Sequence, residues 1–132
     1  MFFVTRNKNK LREFEEILET KFEQIELDLD EIQEIDVQKV IEHKAREAYA
    51  KTKEPAIVED TGLYFEAWND LPGALIKWFE KAVGYEKLAQ MLGEDRRAKA
   101  QTVIGYYDGK NHKNFSGEIQ GSIAPEPRGQ TG

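Results

Sequence analysis

Apolar residues along this chain recur by turns at every second position and at every third or fourth, and that change of period constrains the fold more than any other feature. Side chains on a strand repeat with a period of about 2 and those on a helix with a period of about 3.6, so a chain that alternates between them must lay helices against a sheet. Phe2, Phe3 and Val4 read as a first strand. From Lys8 onward Leu11, Phe14, Ile17 and Leu18 fall at helical spacing, leaving Arg12, Glu13, Glu15 and Glu16 to water. "FEQIEL" predicts a short strand through Phe22, Ile25 and Leu27. After the acidic passage "DLDEIQEID" a second helix is expected, with Asp36 as its N-cap and Val37, Val40, Ile41, Ala45, Ala48 and Tyr49 on one face. Pro55 ends it.

"PAIVEDTGLYFEAW" reads as two strands with a polar corner. Ala56, Ile57 and Val58 suit a buried strand, and Leu63, Phe65 and Ala67 alternate with Tyr64 and Glu66 in a half-exposed one. "LPGALIKWFEKAVG" predicts a Pro-Gly turn and then a helix, and "YEKLAQMLG" a further helix closed by Gly93. "AKAQTVIGYY" and "HKNFSGEIQGSIA" form a hairpin across Asp108-Gly109. The expected class is α/β, a mixed central sheet flanked by helices. At 132 residues, the chain is expected to be a single domain, 1–132.

Composition removes several functions. A hydrophobic fraction of 39% excludes wholesale disorder, and no apolar run approaches the length of a bilayer span. "MFFV" is too short for a signal peptide or an anchor. The chain has no cysteine, which fits a reducing compartment, and a cytoplasmic location is expected. A net charge of -6 argues against a sequence-independent binder of nucleic acid. A small anionic substrate remains open, provided a local cluster or a metal reverses the field.

Three stretches carry chemistry. In "FVTRNKNKLREFEEIL" the cations Arg6, Lys8 and Lys10 crowd a strand-to-helix loop, where free backbone N–H groups and the helix dipole can receive a phosphate. Thr5 and Asn7 add neutral donors there. The competing reading is a solvated helix start that happens to be basic, although cations disfavour that end of a helix by roughly 0.3–1 kcal/mol each. In "VEDTG", Glu59 and Asp60 sit where an apolar strand runs out, and adjacent strand positions face opposite ways, so one of them faces a ligand and the other solvent or a structural partner. The alternative is an acidic turn capped by Thr61 and Gly62. Glu31 or Glu34 of "DEIQEID" offers a further acid, and magnesium needs only one or two protein carboxylates. Lys39, Lys77, His43 and His112 read as surface residues. Trp68, Trp78 and Phe79 suit either a core or a dimer interface.

Taken in order, "FVTRNKNKLREFEEIL", "DEIQ" and "VEDTGLYFEAWNDLPGALIKWF" resemble the inosine triphosphate pyrophosphatase family, also called non-standard purine NTP pyrophosphatases or XTP/dITP diphosphatases. The similarity spans the chain. It implies that Thr5, Arg6, Asn7 and Lys10 hold a triphosphate, that Glu31 and Asp60 bind Mg2+ (Asp30 standing where the family has proline), and that Thr61, Lys39 and Lys77 contact nucleotide. It implies hydrolysis of ITP, dITP or XTP to the monophosphate and pyrophosphate by a homodimer, with Asp60 or Glu59 accepting a proton from water and Lys10 stabilising phosphate charge. Family members continue into an aromatic-Gly-aromatic-Asp segment, a lysine and a Ser-His-Arg motif that read the purine, whereas this sequence stops at "RGQTG". An inosine triphosphate pyrophosphatase fold lacking its C-terminal portion is therefore expected. Two alternatives stand beside it: a Maf-type pyrophosphatase acting on modified pyrimidine triphosphates, and a nucleotide-binding or oligomerising remnant without turnover.

Overall fold

A computed structural model describes residues 1–5, 8–30 and 32–123. In chain order they form β1 (Phe2–Val4), α1 (Lys8–Leu18), β2 (Glu23–Ile25), α2 (Val37–Thr52), β3 (Ala56–Phe65), a 3-10 turn (Glu66–Trp68), β4 (Leu71–Gly73), α3 (Ile76–Val83), α4 (Tyr85–Met91), β5 (Arg97–Tyr107) and β6 (His112–Ser122). The strands order as β2-β1-β3-β5-β6, with β4 paired to β3 off that path. This is the mixed sheet with helices that the alternating periods require.

The chain divides into two compact units. The first comprises Met1–Ile32, Gln38–Asp60 and Val103–Ser116, and the second Gln33–Val37, Thr61–Thr102 and Gly117–Gly132. In the first unit β1 runs parallel to β2 and to β3, with Phe2 beside Glu23 and Ala56. A strand held on both edges buries its middle residue: Phe3 is fully buried, with the rings of Phe14 and Phe22 at 5.0 and 6.1 Å. The helical stripe foreseen for α2 is the buried one, since Val40, Ile41, Ala45 and Ala48 are all inside while Lys39 and Glu42 are exposed. Gly105 on β5 is there for lack of a side chain, because a Cβ would occupy the space of Ile41 Cγ2. The hairpin after β5 is closed by Asp108, whose Oδ1 accepts the amides of Asn111 and Lys110, and by Gly109 at φ 94°.

In the second unit Phe65, Ile76, Leu88 and Leu92 make a core, with Leu63, Trp68, Phe79 and Val83 packed on it. Trp68 stands edge-on to Phe65 at 5.0 Å. The half of the aromatic trio that sequence left between core and interface thus divides: Trp68 and Phe79 join this core, and Trp78 is 51% exposed.

Of the apolar stripe expected to face the sheet from α1, Ile17 and Leu18 are instead 73% and 51% exposed, and further expectations need correction. Residues 56–65 are one ten-residue strand without a polar corner. A turn is unnecessary there because polar residues of this stretch find distant partners, Glu59 in the ammonium groups of two helices and Thr61 in the hydroxyl of Thr102. Pro72 and Gly73 lie in β4, antiparallel to β3 with Gly73 beside Leu63, and the expected turn also starts on them, the Leu75 amide donating to the Pro72 carbonyl at 3.1 Å ahead of α3. An edge strand tolerates a residue with no N–H. Tyr64 is 8% exposed, its hydroxyl accepting the Val37 amide at 3.2 Å and donating to the Ile35 carbonyl at 3.4 Å, while Ala67 is exposed in the 3-10 turn. His112 is half-buried against the Tyr107 ring at 6.2 Å, with a buried Nε2, and is not a plain surface residue.

Candidate active site

The chemistry gathers where β3 leaves its apolar run. Ala56, Ile57 and Val58 are buried, and Glu59, Asp60 and Thr61 follow, partly exposed on extended backbone. In the first unit Lys10, on the first turn of α1, donates from Nζ to Glu59 Oε1 at 2.7 Å. The carboxylate is the more enclosed partner, its side chain 13% exposed against 41% for Lys10. Lys44 of α2 also reaches this residue, donating from Nζ to the Glu59 backbone oxygen at 3.3 Å. Two helices therefore send ammonium groups to one residue of the strand.

The loop that precedes α1 is anchored at its start. Thr5 donates its amide to the Ile25 carbonyl at 3.2 Å, and its own carbonyl accepts Gln24 Nε2 at 2.9 Å, so β2 sets where the loop begins. Arg6, Asn7 and Glu31, three of the residues singled out from sequence, lie outside the described residues. Among the described residues no cluster of three or more His, Cys, Asp or Glu side chains is present. Magnesium takes most of its ligands from water and phosphate and needs only one or two protein carboxylates. Asp60 offers the hard oxygen donors such an ion prefers.

In the second unit Thr61 Oγ1 lies 3.0 Å from Thr102 Oγ1, and either hydroxyl can donate. Lys77 on α3 sets its ammonium over the Trp78 ring at 5.2 Å, as does Lys81. Partial burial, reinforced by the Lys81 charge, holds the Lys77 ammonium below the ordinary lysine range. A groove of about 570 Å³ also opens in this unit over Tyr64, with Lys99 5.1 Å from its ring. None of the described residues singled out from sequence lines it.

A model of the Ham1 family matches residues 1–132. The chain belongs to the Ham1 family. The inosine triphosphate pyrophosphatase of Scheffersomyces stipitis is 44% identical over 146 residues, covering 98% of this chain and 74% of that protein. The dITP/XTP pyrophosphatase of Methanopyrus kandleri is 35% identical over 138 residues, covering 100% of this chain and 73% of that protein. Among solved structures, a HAM1 protein from Coxiella burnetii superposes with a TM-score of 0.81 at 27% identity, over 99% of this chain and 76% of that one.

For this Ham1 chain the structure brings Lys10 and Glu59 together, two residues singled out from sequence but not paired there, and it leaves Lys39 exposed on α2. Lys44 was missed. A signal for it exists in the periodicity: Lys44 follows Val40 by four and Ile41 by three, and precedes Ala48 by four, all of them buried. A lysine at such a position must run its stem along the core and find a partner for its head.

Proposed function

We propose that this Ham1-family chain hydrolyses non-standard purine nucleoside triphosphates (ITP, dITP and XTP) to the monophosphate and pyrophosphate, and so cleans the nucleotide pool. It is a nucleoside triphosphate pyrophosphatase, a hydrolase acting on the α–β phosphoanhydride. The observation that carries this reading is the cationic first turn of α1 held on β3 by the Lys10–Glu59 pair, with Asp60 one residue further on. Lys10 and the exposed amides at the start of the 11-residue α1 neutralise phosphate oxygens, a positioning and electrostatic task. The Asp60 carboxylate accepts the proton of the attacking water, the water oxygen joins phosphorus, and the bridging P–O bond breaks to leave pyrophosphate. No side chain becomes a nucleophile. Magnesium held by Asp60 and Glu31 would supply charge neutralisation and a more acidic water. A homodimeric state and a cytoplasmic location belong to the same proposal, supported by the exposed indole of Trp78 and by the cysteine-free sequence.

Pyrophosphate release from dITP, XTP, dATP, dGTP and dUTP with magnesium tests the reading, on the parent chain and on Asp60→Asn. The expected result is release from dITP and XTP that falls roughly 10²–10⁴-fold in the variant, the usual worth of a general base, with an unchanged circular dichroism spectrum. Full activity in Asp60→Asn would sink the assignment of Asp60. Release from modified pyrimidine substrates alone would move the chain to the Maf type, and triphosphate binding without turnover would make it a binding remnant.

A further inference from the structure

Glu59 is a carboxylate with two cations delivered to it, and the geometry separates their tasks. Lys44 holds the backbone oxygen and thereby the strand. Lys10 holds the side chain, at a distance typical of a strong charge-assisted hydrogen bond. A carboxylate whose side chain is 13% exposed and bonded to an ammonium is already committed to that partner. Lys10 gains in turn. A lysine head on a flexible four-carbon stem loses its conformational freedom when one oxygen anchors it.

We infer that Glu59 is a positioning residue for Lys10: its carboxylate fixes the Lys10 ammonium at the mouth of α1, ready for the phosphates of the substrate, and the proton from water goes to Asp60. The choice of a triphosphate as the anion rests on the pyrophosphatase reading above. The positioning role itself rests on the ion pair.

A double-mutant cycle decides it. Affinity for inorganic triphosphate, with magnesium in the buffer, is measured by calorimetry for the parent chain, Glu59→Gln, Lys10→Met and the double variant. Alongside it, kcat and KM for dITP are measured wherever the chain turns over. If Glu59 acts through Lys10, Glu59→Gln weakens triphosphate binding about tenfold in the parent background, within the range that coupled neighbours show, and not at all once Lys10 is gone. Glu59→Asp should recover part of the loss, and Glu59→Gln should raise KM more than it lowers kcat. Losses that simply add in the double variant, or a kcat at saturation that collapses in Glu59→Gln as in Asp60→Asn, overturn the inference. A parent chain that binds triphosphate with this coupling but hydrolyses no nucleotide would sink the pyrophosphatase reading and leave the positioning role standing. A parent chain that does not bind triphosphate overturns both.

Discussion

Residues 56–60 and 61–65 are halves of one strand, yet they are built in opposite ways. The first half pairs in parallel with β1, and the second pairs antiparallel with β4. Parallel neighbours need long crossover connections, usually helical, and the helices that serve the first half bring back the long cationic side chains of Lys10 and Lys44. The second half is joined to β4 by only five residues, 66–70, with no room for a long helix. Its hydroxyl groups meet neutral partners instead: Thr61 with Thr102, and the Tyr64 hydroxyl with the backbone of Ile35 and Val37. Charge chemistry follows the parallel half because that is where a helix can deliver a counter-charge.

Substitutions in the two halves test this contrast. The largest effect is the loss of turnover in Asp60→Asn, which should come with a melting temperature close to that of the parent, since a partly exposed strand position is being changed isosterically. Phe65→Ala should do the reverse. Phe65 is 1% exposed at the centre of the second unit's core, so its truncation is expected to cost about 3–5 kcal/mol, read by urea unfolding. A loss below about 1 kcal/mol would mean that this core is not what holds β3 and α4 together.

Next in size is Gly73→Ala. Gly73 has a φ of 59°, and a Cβ there would run into the Ile35 carbonyl, the same oxygen that accepts the Ala74 amide at 2.8 Å. A cost of about 1–3 kcal/mol is expected in the same unfolding assay. Thr61→Val removes one hydroxyl of the Thr61–Thr102 pair and is expected to cost about 1 kcal/mol. If Thr61 also contacts nucleotide, KM for dITP rises as well; a change in stability alone would confine Thr61 to the sheet.

The smallest effect concerns Lys77. Its folded-state pKa lies below the ordinary 10.5 because of burial first and Lys81 second. A lysine whose pKa is lowered by folding binds fewer protons in the native state than in the unfolded one, so the native state gains stability as pH rises from that lowered value toward 10.5. Lys81→Gln should move the Lys77 titration upward, as followed by the NMR shift of its ε-carbon. An unmoved midpoint would assign the whole effect to burial.

Much of the fold was legible because it is written in near neighbours. The stripe Val37, Val40, Ile41, Ala45 and Ala48 announces α2 by spacing alone, and all five residues are buried. Asp108-Gly109 announces its hairpin in the same way, and the structure adds only that the Asp108 carboxylate, bonded to the amides of Asn111 and Lys110, is held at a pKa of about 2. Failures came where a distant partner overrides a local preference. Glu59 to Gly62 look like a turn until Lys10, Lys44 and Thr102 are placed beside them.

By itself the sequence determined which segments are helix or strand, which faces are apolar, and that basic and acidic motifs of one family lie on the same chain. These depend on interactions spanning one or two turns. Only the tertiary structure decided that Lys10 meets Glu59 across 49 residues of sequence and that Lys44 supports the same residue from a second helix. No periodicity records such a meeting, because it is set by the stacking of two helices on one strand and by the cost of leaving a half-buried charge without a partner.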